Sequence, residues 1–170
     1  MNSPRVLVAY GTKFGSTAEI ADWLGQELDA CDATAAVRPA AEVRDLRPYD
    51  AVVLGAGVYA GRWQRDAVRF ARRHRTALSE MPVWLFSSGP LDATASEGDA
   101  PAPPTATRLA ERLGAREHVV FGGKLDETAR GWVARQLVKS GKGGDFRDRD
   151  QIRAWARRIA AELAREPAAG

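Results

Sequence analysis

Five short apolar runs along the chain predict β-strands. They cover residues 5–10, 34–38, 51–57, 82–88 and 117–122. The first and third runs contain no polar alternation, which is typical of parallel strands covered on both faces. The second run is weaker and is stopped by Pro39, so we expect it nearer an edge of the sheet.

Apolar residues at helical spacing predict helices between these strands. The first helix is expected from Thr17 onward, with Ser16 placed as its cap. A second follows the third strand, with an inner apolar stripe that starts at Trp63 and ends at Leu78 and an arginine-rich outer face.

Two further helices are predicted in the second half of the chain. One is short and spans about 107–113. The other begins near Gln151, after the capping pattern of residues 148–151, and has a continuous apolar stripe. Between the fifth strand and this helix lies an extra stretch, 124–147, whose residues 132–139 suggest one or two helical turns.

Alternating strands and helices of this length predict a doubly wound α/β fold. We expect a single domain over residues 1–170, with a five-stranded parallel sheet of order 2-1-3-4-5 and helices on both faces. Such sheets bind ligands beyond the carboxyl ends of their strands. The loops after the first, third and fourth strands are therefore the expected binding loops.

Composition narrows the class of protein. Hydrophobic residues make up 45% of the chain and charged residues 28%, as in ordinary globular proteins. No apolar run approaches the roughly 20 residues of a membrane-spanning helix. Residues 1–5 lack the pattern of a signal peptide, so a cytoplasmic location is expected. Because Cys31 is the only cysteine, we expect no internal disulfide and no cysteine-based metal site of the zinc-finger kind. The two histidines form no metal-binding pattern either, so no metal site is predicted.

The net charge is +3, and most of the positive charge is carried by arginines. The helical spacing of these arginines favours a solvated helix face, so nucleic acid is not the predicted partner. His74 is expected at the surface, whereas His118 fits either a buried or a rim position. Neither histidine has a partner at catalytic spacing, so the sequence assigns no catalytic acid or base and the catalytic residues are unknown from it.

The loop after the first strand carries the strongest chemical signal. Residues 10–17 read Tyr-Gly-Thr-Lys-Phe-Gly-Ser-Thr and end at a predicted helix amino terminus. Backbone N–H groups and the helix dipole favour an anion there, and three hydroxyls can donate to it. The loop matches neither a Walker loop nor a dinucleotide fingerprint, so a monophosphate is the expected ligand.

The motif Thr12-x-x-Gly15-x-Thr17, followed by residues 18–21, resembles the FMN phosphate loop of flavodoxins. The loops at 55–63 and 87–91 are similar to the flavin-ring loops of the flavodoxin-like subfamily typified by menaquinone-dependent protoporphyrinogen IX dehydrogenase. The carboxyl-terminal region, with its paired glycines at 143–144 and Trp155, also resembles that subfamily.

This resemblance implies FMN as the cofactor. The expected phosphate contacts are Thr12, Lys13, Phe14, Gly15, Ser16 and Thr17. The expected neighbours of the flavin ring are Gly57, Val58 and Tyr59 on one side and Ser88, Gly89 and Pro90 at the other edge. The 87–91 loop contains no aromatic to stack on the ring, which implies an open face. Arg62 is the cation expected near the cofactor mouth.

The resemblance implies an FMN-dependent oxidoreductase that passes electrons between a reduced donor and a quinone-like acceptor, in the manner of a protoporphyrinogen oxidase. The partners it implies are an electron donor and a quinone or porphyrinogen-like small molecule. The alternative is a flavodoxin-type electron carrier without its own substrate. Known carriers of this fold are acidic, so the basic charge favours the enzyme. A module that has lost its flavin is disfavoured by the intact phosphate loop. Peripheral membrane contact, the physiological donor and the oligomeric state stay open.

Overall fold

The computed structural model describes residues 3–13, 15–59, 61–89, 103–122, 124–125, 144–145 and 148–166. The strands are β1 (Arg5–Gly11), β2 (Thr34–Pro39), β3 (Ala51–Tyr59), β4 (Arg62–Trp63), β5 (Val83–Ser88), β6 (Glu117–Phe121), β7 (Lys124–Leu125) and β8 (Gly144–Asp145). The helices are α1 (Ser16–Ala30), α2 (Arg65–Arg73), α3 (Arg75–Ser79), α4 (Pro104–Leu113) and α5 (Arg149–Arg165), with a 3₁₀ turn at Ala40–Glu42.

The main sheet has the strand order β2-β1-β3-β5-β6, and these five strands are parallel. This is the predicted 2-1-3-4-5 order, counted without the short strand β4, which the sequence analysis did not predict. The predicted doubly wound α/β fold is confirmed. A separate ribbon, β7 with β8, joins the two ends of the 124–147 stretch in antiparallel pairing. The helical turns predicted at 132–139 lie outside the described residues.

Two apolar cores lie on opposite faces of the sheet because successive strand residues point to opposite sides. Val6 and Val8 face the core formed with α1 and α5. Leu7 and Ala9 face the second core, which α2, α3 and α4 cover. This two-layer burial fixes the ends of the strands, and therefore the loops that extend from them.

The predicted cap of the first helix is wrong. Gly15, not Ser16, occupies the N-cap position, and Ser16 is the first helical residue. Gly15 has φ of 91°, a left-handed conformation that a glycine adopts without steric cost. The tight turn therefore comes from the glycine backbone, which by its nature offers no side-chain cap at the N-cap position.

The interpretation of Trp63 as the start of a helical stripe is also wrong. Trp63 lies in β4, which pairs antiparallel with the end of β3. The following helix begins at Arg65, where the Gln64 side chain accepts hydrogen bonds from two backbone N–H groups. Trp63 is nevertheless buried, as predicted, with 4% of its surface exposed.

Helix α2 ends at the residue before His74, which separates it from α3. The prediction of a surface position for His74 is only partly correct, because its ring is half-buried against Phe70 at 4.8 Å between centroids. Burial lowers the pKa of His74. The arginines of α2 and α3 are exposed, as predicted.

The last two helices start earlier than predicted. Helix α4 begins at Pro104, because proline suits the first helical position. Helix α5 begins at Arg149, and Asp148 Oδ1 accepts a hydrogen bond of 3.1 Å from the Gln151 N–H, so the Asp148 half of the predicted capping box is confirmed. The Gln151 side-chain oxygen is buried without a hydrogen-bond partner among the described residues, so the reciprocal half is not formed by that atom. Within the described ranges, no helix is both long and apolar enough to cross a bilayer. The same residues contain no cluster of three or more His, Cys, Asp or Glu side chains that could hold a metal ion.

Candidate functional site

The carboxyl ends of β1, β3 and β5 meet at one edge of the sheet. The register pairs Gly11 with Ala56 and Gly57 with Ser88. The loop after β1, the hairpin formed by β3 and β4, and the start of the loop after β5 therefore lie side by side. These are the three segments in which the sequence analysis placed the binding residues.

The loop after β1 places backbone donors at the amino terminus of α1. The Gly15 N–H donates to Thr12 Oγ1 at 2.9 Å, which closes the loop on itself. The first backbone bond of α1 runs from the Glu19 N–H to the Gly15 carbonyl, so the Thr17 and Ala18 amides precede the helical ladder. Thr17 is also buried, with 1% of its surface exposed. These donors at a helix amino terminus fit a phosphate group. Phe14 lies outside the described residues.

Tyr59, at the end of β3, contacts this loop directly. Its hydroxyl accepts a hydrogen bond of 2.8 Å from the Lys13 backbone N–H, and Lys13 Nζ lies 5.8 Å from the centroid of its ring. The ring crosses Gly57, where an added Cβ would come within 2.6 Å of the Tyr59 hydroxyl. Gly57 therefore provides the space in which Tyr59 links the ring loop to the phosphate loop.

Replacing Gly57 with alanine should displace the Tyr59 side chain and break its bond to the loop. We expect FMN affinity to fall roughly 2- to 13-fold, the equivalent of one ordinary hydrogen bond of about 0.5–1.5 kcal/mol. The free energy of unfolding should fall by no more than about 0.5–1.5 kcal/mol, the value of the lost hydrogen bond, because only the far end of a side chain has to move.

Gly55→Ala is the matched control for this substitution. Its Cβ would lie 1.9 Å from Phe86 Cζ inside the core. Overpacking should cost about 1–3 kcal/mol of stability. Flavin fluorescence quenching and thermal denaturation separate the two effects, and a Gly57→Ala protein with unchanged FMN affinity would show that Tyr59 does not support the site.

The start of the β5 loop faces the hairpin. A Cβ added at Gly89 would lie 3.7 Å from Val58 Cβ. The Gly89 N–H donates to the Phe121 carbonyl at 2.9 Å, and its φ is 121°. Any other residue would be strained at that φ, so a substitution of Gly89 should destabilise this loop. Ser88 is buried beside it, and Pro90 lies outside the described residues.

The hairpin is held against the phosphate loop by Gln64. Its backbone N–H donates to the Gly57 carbonyl at 2.9 Å. Its side-chain oxygen lies against the end of β1, where a Cβ at Gly11 would come within 2.2 Å of it. Arg62, the cation expected near the cofactor mouth, is exposed in β4.

A buried chain of hydrogen bonds behind the hairpin was missed by the sequence analysis. Trp63 Nε1 and His118 Nε2 each lie 2.7 Å from the Ser87 hydroxyl. Since an indole N–H can only donate, Ser87 accepts from Trp63. Towards His118 Nε2 the Ser87 hydroxyl either donates or accepts, according to the tautomer of the ring. Burial lowers the pKa of His118, which favours the neutral ring.

We expect the stability of the protein to decrease as the pH is lowered from about 7 towards about 5, partly because of His118. Its pKa is lower in the folded protein than the unfolded value of about 6.5. Its contribution is therefore complete above the unfolded pKa and is lost as the pH falls through the folded pKa.

Denaturant unfolding at a series of pH values tests this expectation. His118→Gln keeps both a donor and an acceptor within reach of Ser87 but does not titrate, so the stability of this variant should fall less steeply with acid than that of the wild type. His74→Gln should remove a separate part of the slope, because burial also lowers the pKa of His74. An unchanged slope in His118→Gln would contradict the assignment.

Comparison with known proteins identifies the family. A family profile described as a flavodoxin domain matches residues 7–148. The chain belongs to the flavodoxin domain family. FMN, the cofactor implied by the sequence resemblance, is confirmed at the level of this family. The arrangement of the phosphate loop, the Tyr59 contact and the Val58–Gly89 approach fits that cofactor.

Curated relatives carry a more specific name. The chain is 31% identical over 85 residues to the protoporphyrinogen IX dehydrogenase [quinone] of Escherichia coli K12, a match that covers 49% of this chain and 47% of that protein. It is 30% identical over 90 residues to the protein of the same name in Leishmania major, covering 50% of this chain and 38% of that one. The matched region thus spans about half the length of the E. coli relative and a smaller part of the L. major relative.

Solved structures show the same fold at low identity. Rubredoxin oxygen:oxidoreductase from Desulfovibrio gigas aligns with 99% of this chain and 38% of its own, with a TM-score of 0.67 and 12% identity. A flavodoxin variant from Pseudomonas aeruginosa aligns with 94% of this chain and 99% of its own, with a TM-score of 0.60 and 16% identity.

Proposed function

We propose that this protein is an FMN-dependent oxidoreductase that takes electrons from a reduced donor and passes them to a quinone-like acceptor. Two supports come from outside the site. The matching curated relatives are named as quinone-linked dehydrogenases, and the basic net charge differs from the acidic charge expected of carriers.

The observation that carries the proposal is the make-up of the two ring loops. Val58 and Gly89 face each other, and no aromatic residue occurs anywhere from Ser87 to Pro103. One face of the ring therefore has no stacking side chain from that segment, and a planar acceptor could stack there.

When bound, FMN supplies reversible uptake and release of electrons, and the protein supplies binding and orientation. We assign the phosphate to Thr12, Lys13, Phe14, Gly15, Ser16 and Thr17. We assign the ring to Gly57, Val58, Tyr59, Ser88, Gly89 and Pro90. The Trp63–Ser87–His118 chain holds the hairpin in position from behind, so His118 acts as a positioning residue.

Anaerobic reduction followed by reoxidation tests this function. The reduced protein should be reoxidised faster by a water-soluble naphthoquinone than by a one-electron protein acceptor such as cytochrome c. A porphyrinogen should be offered as donor in a parallel arm, because the relatives' name suggests it. Reoxidation by cytochrome c with no response to quinone would reject the enzyme and favour the electron carrier.

The carrier remains the second candidate, since a flavodoxin aligns with this chain over nearly its whole length. Carriers need docking on a protein partner and no pocket for a small acceptor. Saturation of the reoxidation rate at high quinone concentration would indicate that the quinone binds to the protein. An electron carrier without its own substrate would not show such saturation.

A further inference from the structure

The two helical layers of the protein carry different charge. Helices α2, α3 and α4, which cover one face of the sheet, contain seven arginines and two acidic residues. Helices α1 and α5 on the other face contain five arginines and six acidic residues. All seven arginines of the first layer are exposed, and we call them the arginine face: Arg65, Arg69, Arg72, Arg73, Arg75, Arg108 and Arg112.

The arginine face also differs in its ion pairing. On the opposite layer, Arg157 pairs with Glu27 at 2.9 Å and Arg158 with Glu117 at 3.7 Å. Among the residues that the structure describes, none of the seven arginines pairs with a carboxylate. Asp66, the acidic residue nearest to these arginines in the sequence, accepts a hydrogen bond from the Gln64 side chain at the amino terminus of α2. The positive charge of this face is therefore not neutralised within the described chain.

Helix geometry aligns these arginines in a stripe. Arg65, Arg69 and Arg72 follow the i, i+4, i+7 spacing of one helix face, and Arg73 extends it. The stripe spans about 12 Å along α2. Ala67, Phe70 and Ala71 occupy the buried side.

The composition of the stripe favours lipid over protein as its partner. Every exposed residue of α2 is an arginine, so the stripe lacks the apolar centre of a specific protein interface. Guanidinium groups bind phosphate well, and clustered basic residues bind anionic lipid headgroups. The stripe begins at Arg65, directly after the hairpin that carries the ring-binding residues.

We infer that the arginine face docks on an anionic lipid bilayer and places the mouth of the FMN site beside the membrane, where a lipid-soluble quinone is dissolved. The identity of the acceptor rests on the proposed function. The docking itself depends only on the charge and geometry of the arginine face.

Vesicle co-sedimentation of the FMN-loaded protein tests this inference. The protein should bind vesicles that contain phosphatidylglycerol, ignore vesicles of phosphatidylcholine alone, and be released at roughly 0.5 M salt. The double variant Arg69→Gln/Arg72→Gln should bind roughly 25-fold more weakly, about fivefold for each arginine.

The matched control removes the same charge from the other layer. Arg153→Gln/Arg165→Gln on α5 should keep most of the binding. Equal losses in the two double variants, or equal binding to both kinds of vesicle, would overturn the inference. Stronger binding to duplex DNA than to the anionic vesicles at the same salt concentration would overturn it too, because the arginine face would then be a nucleic-acid binding surface.

These outcomes are separable from those of the proposed function. Vesicle binding is measured without quinone, and reoxidation by a water-soluble quinone is measured without vesicles. Docking without a quinone reaction would reject the proposed acceptor and leave the docking surface intact.

Discussion

Replacing Thr17 with valine should lower FMN affinity roughly 10- to 150-fold, because a hydroxyl that donates to a charged phosphate contributes about 1.5–3 kcal/mol. Valine keeps the branched shape of threonine and removes only the hydroxyl. Thr17 is buried at the amino terminus of α1, so the shape must be conserved for the result to report on binding. Isothermal titration with FMN measures the change.

Riboflavin and Thr17→Ser provide the two controls. Riboflavin lacks the phosphate, so its affinity should be nearly the same for wild type and Thr17→Val. Thr17→Ser keeps the hydroxyl and should retain most of the FMN affinity. Equal losses for FMN and riboflavin in Thr17→Val would show damage to the loop rather than loss of a phosphate contact.

Replacing Trp155 with alanine should destabilise the protein by about 3–5 kcal/mol, as expected for a buried aromatic residue. For a chain of this size that corresponds to a decrease in Tm of roughly 6–20 °C. Trp155 is 1% exposed and packs edge-on against Phe86 and Phe121. Its Nε1–H also donates to Glu117.

The same substitution should weaken FMN binding, since the Phe121 carbonyl holds the Gly89 N–H. Trp155→Phe keeps a ring in the cluster and loses the bond to Glu117, so it should cost clearly less than Trp155→Ala. Differential scanning calorimetry measures the stabilities. A Trp155→Ala protein as stable as Trp155→Phe would contradict the role of the aromatic cluster.

The strand, turn and helix that form the candidate phosphate loop were predictable because their signals are local. Thr12, Gly15 and Thr17 lie within six residues, and the strand before them and the helix after them each have a clear apolar pattern. The role of Gly15 was less evident. A helix can start either after a side-chain cap such as Ser16 or after a glycine in the left-handed conformation. In the structure, Gly15 is the N-cap residue.

The hairpin was missed because Trp63 lies at helical spacing from the buried face of α2. Trp63, Ala67 and Phe70 are all buried, so the apolar pattern continues across a boundary between strand and helix. Pattern alone does not mark that boundary. Gln64, whose side chain caps α2, carries the missing signal, yet glutamine is not among the usual cap residues.

The Trp63–Ser87–His118 chain could not be predicted from spacing. Its members come from three strands, and Ser87 and His118 are 31 residues apart. Their meeting depends on the register of β5 with β6, in which Leu85 pairs with His118 and Ser87 lies two residues further along the same face. Such contacts follow from the fold rather than from any local motif.

The position of the cofactor is tested most directly by backbone amide NMR of the protein titrated with FMN and, separately, with riboflavin. Both ligands should shift the amides of Val58, Tyr59 and Gly89. Only FMN should strongly shift the amides of Thr12, Lys13 and Thr17. Equal shifts of the phosphate-loop amides with both ligands, or the largest shifts away from this edge of the sheet, would contradict the site.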